Sequence, residues 1–274
     1  MSRIDVDGLG VNVRRLGLPP DEAPTVVMLH GLSADNLSSL YYTLAPPAAR
    51  VAHVVLYDLR GHGRTDRPDT GYGLDDSVAD LDGVLRALDL VDPVHIVGHS
   101  YGGAVAVSYA LARPDRVASI AMVEGHVARP GWGSYMADCI AFLAFGMAKP
   151  EVQEWMHNAA GRKARQAMID VEALIEDTSW VDDIASRTTT VTDDDLRSLR
   201  LPVLGIYGEH SDVLETGHAV RDLVPGSRFE LIPDHNHSLL LPCVDRLNEL
   251  LVPWLVECAA GVGSDAIASE AVAS

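Results

Sequence analysis

The chain is short of basic residues: 21 Lys and Arg stand against 39 Asp and Glu in 274 residues, a formal net charge of −18. That field repels phosphate backbones and anionic lipid, so neither a nucleic acid nor a membrane surface is an expected partner. Cysteine is scarce as well. Cys139, Cys243 and Cys258 form an odd set without metal-ligand spacing, which argues against a disulfide framework and for free thiols in a reducing compartment. No apolar run reaches the ~18–20 residues that a membrane span requires. The opening MSRIDVDGLG has no basic segment followed by an apolar one, so no secretory leader is expected and the location is expected to be cytoplasmic. A metal site, a phosphate loop and a dinucleotide fingerprint are also missing; Gly61-His62-Gly63 lacks the strand and helix that a GxGxxG turn joins. No cofactor and no metal are therefore expected.

What is present is an ordinary globular composition, 47% hydrophobic and 22% charged, long enough for one large domain or a domain with an insertion. Residues 3–17 alternate apolar and polar around Asp7-Gly8, as an antiparallel hairpin does. Short β-branched runs follow at Thr25–Leu29, Val51–Tyr57, Val94–Val97, Val117–Val123, Val203–Tyr207 and Arg228–Ile232. Continuous apolar strands of this kind fit a parallel sheet covered on both faces. Val78, Leu81, Val84, Leu85 and Leu88 make a helical stripe between two of them, and Val244 to Cys258 reads as a last long helix kinked at Pro253. The alternation breaks between about Gly125 and Leu199, where Trp132, Met136, Ile140, Leu143 and Met147 suggest amphipathic helices. The predicted organisation is an α/β core of residues 1–124 and 200–259, a helical cap of 125–199 inserted after the sixth strand, and a disordered tail of 260–274.

Gly98-His99-Ser100-Tyr101-Gly102 sits between the strand ending at Val97 and an apolar helix beginning near Gly103. As a bare G-x-S-x-G pentapeptide it is a weak signal; its strand–turn–helix setting is that of a nucleophile elbow. The turn is too tight for bulky flanking side chains, hence the glycines. It lifts the serine hydroxyl clear of the sheet, at a helix N-terminus that favours developing negative charge. A serine hydroxyl is a poor nucleophile without a base and an acid to orient it. Elbows of this kind are followed along the chain by an acid and then a histidine, each on a loop after a later strand. Tyr207-Gly208-Glu209-His210-Ser211-Asp212 offers the acid, and Ile232-Pro233-Asp234-His235-Asn236-His237-Ser238 offers two histidines.

These motifs, together with Leu29-His30-Gly31-Leu32 and the loop Asp58-Leu59-Arg60-Gly61-His62-Gly63-Arg64-Thr65-Asp66-Arg67-Pro68, make the chain resemble the α/β-hydrolases over nearly its whole length. Thr65 stands where serine is commoner in that loop. The resemblance implies an α/β-hydrolase fold: a mostly parallel central sheet, helices on both faces, and a helical cap. It also implies Ser100 as nucleophile, Asp212 as orienting acid and His237 as base. His237 is preferred to His235 because the family sets its histidine directly before a small residue and an apolar run, here Ser238-Leu239-Leu240-Leu241. Glu124, at the end of the sixth strand, is the alternative acid, because some relatives carry theirs there. The backbone N–H groups of Leu32 and Tyr101 are the implied oxyanion donors.

Other histidines read as structural: His30 as a brace of the oxyanion loop, His99 as a packed elbow residue, His62 as part of a turn, His95 as core. Arg162, Lys163 and Arg165 read as a solvated helix face, with contact to an anionic substrate tail or carrier protein as the sharper alternative. The expected activity is cofactor-independent serine hydrolysis of an ester, thioester or similarly activated small-molecule acyl substrate through an acyl-enzyme. Two alternatives remain open: C–C bond cleavage, acyl transfer or cyclisation on the same scaffold, and non-catalytic ligand binding.

Overall fold

The structure, a computed structural model, describes residues 2–158 and 161–261; the side chains of residues 153, 156, 157, 163 and 164 are also outside the description. All but residues 260 and 261 of the expected disordered tail lie beyond the described residues, as does the Lys163 side chain of the basic cluster.

Eight strands form one sheet in the order β1-β2-β4-β3-β5-β6-β7-β8. They are β1 Ser2–Val6, β2 Leu9–Gly17, β3 Thr25–Leu29, β4 His53–Tyr57, β5 Val94–His99, β6 Val117–Val123, β7 Val203–Gly208 and β8 Arg228–Ile232. β1 and β2 are the antiparallel hairpin expected from the alternation, with Asp7 (φ 52°) and Gly8 (φ 91°) at its turn. β2 runs antiparallel to β4, and every later pairing is parallel. β4 begins at His53, two residues later than the apolar run suggests, because Val51 and Ala52 close the turn behind the preceding helix.

Successive strand residues point to opposite faces, and both faces are dry. Val27, Leu29, Val55, Tyr57 and Ile96 pack on one side with α3 (Leu74–Ala87) and α4 (Tyr101–Ala112). Val26, Met28, Val54, Leu56 and Val97 pack on the other with α1 (Ser38–Tyr41), α2 (Ala45–Ala48) and α11 (Val244–Ala259), whose helix runs on through Pro253. Burial on both sides is why these strands lack the polar alternation of the hairpin.

Between β6 and β7 the chain runs through α5 (Trp132–Met147), α6 (Pro150–Asn158), α7 (Arg162–Asp177), α8 (Trp180–Ser186) and α9 (Asp193–Ser198), with no strand among its described residues. Trp132, Met136, Ile140, Leu174, Trp180 and Ile184 join the same apolar cluster as α3 and α4, so this excursion is packed onto the core. α10 (Leu214–Leu223) connects β7 to β8. The parallel register ends β5, β6, β7 and β8 along one edge, with His99 opposite Val123, Val123 opposite Ile206 and Gly208 opposite Ile232. Loops leaving that edge carry Ser100, Glu124, Asp212 and His237, the crevice in which open α/β sheets hold ligands.

Candidate active site

Ser100 occupies a backbone conformation, φ 53° and ψ −116°, that a side-chain-bearing residue adopts only under constraint. The constraint is visible. Its N–H donates to Val123 O at 3.1 Å, and its own carbonyl accepts from the N–H groups of Gly103 and His126, each at 3.0 Å. A Cβ on Gly98 would collide with the Gly102 carbonyl, and one on Gly102 with the Leu29 carbonyl, so both outer glycines are required by backbone approach. α4 starts at Tyr101, two residues earlier than the apolar pattern indicates, which places the serine directly at the helix N-terminus.

His237 Nε2 lies 3.1 Å from Ser100 Oγ. Two carboxylates face its other nitrogen. Glu124 Oε2 is 3.1 Å from Nδ1, and Asp212 Oδ1 is 3.6 Å away. Glu124 is completely buried, at the positive-φ position (54°) that ends β6, and also accepts from the Gly208 N–H and the Ser211 hydroxyl. Asp212 is 66% exposed and is met by the Tyr135 hydroxyl at 3.4 Å. Sequence order places Asp212 first; by geometry Glu124 makes the hydrogen bond to the imidazole and Asp212 stands outside hydrogen-bond distance of it. The Nδ1–H of His237 therefore donates to Glu124, leaving the Nε2 lone pair toward the serine hydroxyl. His235 is half-buried, with Nδ1 at 2.8 Å from Pro233 O.

The loop after β3 closes the other side of Ser100. His30 braces it: Leu59 N–H donates to Nε2 at 2.9 Å, so Nδ1 carries the proton and donates to Gly31 O at 2.6 Å. The Asp58–Thr65 loop is held in turn by the Asp58 carboxylate, which accepts from Asn12 Nδ2, Leu37 N–H and Arg64 N–H. Arg60 forks onto Asp80 through two hydrogen bonds of 2.7 and 2.5 Å. The loop thus ties the His30–Leu32 segment to the sheet. Leu32 borders the cavity beside Ser100, and Tyr101, first in its helix, has an N–H with no intrahelical acceptor. The Tyr101 ring does not line the cavity: it is buried, bonded to Ser77 Oγ at 2.9 Å and stacked on Trp132. Burial drives its hydroxyl pKa upward.

A cavity of about 470 Å³ opens onto this machinery, walled by Gly31, Leu32, Asp35, His99, Leu240 and Leu241, with Ser100 and His237 in its wall. A larger one of about 550 Å³ lies between α3, α4 and residues 189–195 and touches none of the candidate catalytic residues, so size alone does not locate the chemistry.

Three residues at the site were not singled out for it by sequence. His126 packs against His237 and Trp132, and burial followed by the neighbouring His237 charge lowers its pKa to about 4. Tyr135 bonds Asp212. Asp35 accepts the Gly31 N–H at 2.8 Å and lies 3.4 Å from His99 Nδ1. His95, by contrast, is a core residue on Ser119 Oγ at 2.7 Å, and burial lowers its pKa to about 4.

Among curated proteins, the chain is 28% identical over 232 residues to 2-hydroxy-6-oxo-2,4-heptadienoate hydrolase of Pseudomonas putida, covering 77% of this chain and 82% of that one. It is 39% identical over 118 residues to a non-heme chloroperoxidase of Streptomyces lividans, a match that covers 42% of this chain and 41% of the relative's length. Among solved structures, the enol-lactonase of Burkholderia xenovorans superposes with a TM-score of 0.72 at 20% identity, over 93% of this chain and all of that one, which is a likeness of fold. Est816, described as an N-acyl homoserine lactone degrading enzyme, gives 0.67 at 25% identity over 92% of this chain and 100% of its own. The family model of the alpha/beta hydrolase fold matches residues 24–242, and the chain belongs to that family.

Proposed function

We propose that the protein is a serine hydrolase of small-molecule esters, lactones included, or similarly activated acyl compounds, with Ser100 as nucleophile and His237 as general base. The observation that carries this reading is the 3.1 Å approach of His237 Nε2 to an elbow serine whose imidazole partner is anchored on a buried carboxylate. His237 takes the hydroxyl proton as Ser100 attacks the carbonyl carbon. The oxyanion forms within reach of the Leu32 and Tyr101 amides. His237 then gives the proton to the leaving oxygen, and the acyl-enzyme is released by a water activated the same way. Glu124 fixes the tautomer, and Asp212 adds negative charge from the solvent side. Residues 125–199 act as the cap, which reaches the site through His126, packed against His237 and against Trp132 and Tyr135.

A fluorophosphonate probe tests the reading. It should label the wild type, and Ser100→Ala should abolish labelling; persistent labelling of that variant would put the nucleophile elsewhere. The relative from Pseudomonas putida is named for a dienoate, a carboxylate anion. Chemistry on such a substrate is the competing reading, and the charge of the site bears on it directly.

A further inference from the structure

One ionised group at the site has no part in the hydrolytic cycle. The Asp35 carboxylate, 19% exposed, borders the cavity beside Ser100. Its Oδ2 accepts the Gly31 N–H and its Oδ1 the Asn36 N–H, both at 2.8 Å. A Cβ built on Gly31 would lie 3.2 Å from Asp35 Oδ2 and 3.2 Å from Ser100 Cβ, so the carboxylate and the nucleophile flank one point. Burial by itself opposes the charge, but the His99 side chain 3.4 Å away outweighs it and holds the carboxyl well below the usual carboxylate range. Asp35 is an anion at neutral pH.

None of the described residues lining the cavity is Lys or Arg, and the rest of its wall is Leu32, Ala34, Leu240, Leu241 and Pro242 with the hydroxyls of Ser39 and Ser238. The two carboxylates behind His237 add charge of the same sign. Exposed Arg162 and Arg165 lie on α7, outside this wall. A second negative charge entering here meets an apolar, acid-edged pocket with no Lys or Arg in its described wall to pair with.

We propose that Asp35 is a charge filter, a specificity-determining residue that restricts the substrate group beside Ser100 to uncharged acyl or leaving groups. The enzyme therefore takes neutral esters or lactones and discriminates against carboxylate-bearing ones of the same size. This rests on the hydrolase reading of Ser100. The Asp35 oxygens are turned onto the Gly31 and Asn36 amides, so the filter also holds the loop that presents the Leu32 N–H. For charges about 6–8 Å apart, and an effective dielectric between about 20 and that of water, repulsion disfavours the anion roughly three- to hundredfold.

The test compares kcat/KM within two matched pairs: methyl 3-acetoxybenzoate against 3-acetoxybenzoate, and 4-nitrophenyl butyrate against 4-nitrophenyl hemisuccinate. The wild type should prefer the neutral member of at least one pair by about threefold or more. Asp35→Asn, which retains an acceptor for Gly31 N–H, should shrink that ratio severalfold or more, whatever happens to the absolute rates. Should this variant fail to fold, raising salt from about 20 mM to about 500 mM must shrink the wild-type ratio instead. Equal rates within both pairs, a preference for the anions, or a ratio unmoved by both the substitution and salt overturns the filter. Fluorophosphonate labelling is run alongside: a labelled protein with no charge preference overturns only the filter, whereas an unlabelled, inactive protein overturns the hydrolase reading and the filter with it.

Discussion

Exchanging the two carboxylates on His237 for their amides should produce very unequal losses. Glu124 is fully buried, 3.1 Å from Nδ1, and bound to the Gly208 amide and the Ser211 hydroxyl, so it is fixed and unscreened. Glu124→Gln keeps the shape and an acceptor but lets the side-chain amide donate toward Nδ1. That favours the imidazole tautomer with its proton on Nε2, where the base is needed. Loss of an orienting acid in this way costs about 10³–10⁴ in kcat, or about 4–5.5 kcal/mol of transition-state stabilisation. Asp212 is 66% exposed and 3.6 Å from Nδ1. At that separation and in near-aqueous dielectric an ion pair is worth about 1 kcal/mol, so Asp212→Asn should cost about three- to tenfold. Initial rates with 4-nitrophenyl acetate, with circular dichroism and melting to show that both variants fold, decide the matter. A larger loss from Asp212→Asn than from a folded Glu124→Gln would refute the assignment and restore the order read from sequence. Double substitution supplies the coupling, since two acids on one imidazole should be strongly non-additive.

Two further outcomes follow from the packing. His62, His95 and His126 are held neutral by burial, with pKa values of about 4 against about 6.5 in an unfolded chain. The unfolded state binds protons at these sites that the folded state refuses. Their contribution is complete above pH ~6.5 and is lost as pH falls toward 4, at up to about 1.4 kcal/mol per pH unit for each histidine. Urea unfolding between pH 7 and 4.5 should show that decline, and His95→Asn should make it shallower; an unchanged slope contradicts the burial argument. Gly102→Ala, which drives a methyl into the Leu29 carbonyl, should cost about 3 kcal/mol and lower Tm by about 6–12 °C. An unchanged melting curve with full fluorophosphonate labelling would mean that the elbow is looser than described.

Much of this arrangement is legible from the residues themselves, because it is imposed by backbone sterics. Gly98 and Gly102 are where they are because carbonyls leave no room for Cβ atoms, and the strand cores are unbroken apolar runs because both sheet faces are covered. The sequence offers both acids but not their distances from the imidazole. Glu124 and Asp212 both leave the same sheet edge, one strand apart, and only the three-dimensional reach to His237 separates them. The left-handed backbone at Glu124 brings its carboxylate to 3.1 Å from the histidine, whereas its place after β6 marks it in the sequence only as the alternative acid. Asp35 carries no sequence mark for a related reason: its hydrogen-bond partners are loop amides, and the histidine beside it lies 64 positions on, so no periodicity or spacing singles it out. The stretch 125–199 carries helical pattern but no chemical motif, because its apolar positions mostly pack its own helices together and onto the shared apolar cluster.

The central claim, that Ser100 becomes acylated through His237, is tested most directly by trapping the intermediate. Acid quenching during turnover of 4-nitrophenyl acetate, followed by peptide mass spectrometry, should find acetyl on the peptide holding Ser100. His237→Ala should accumulate none on the timescale of wild-type turnover. Product release without any acetylated Ser100, or acetyl carried by another residue, would contradict the account.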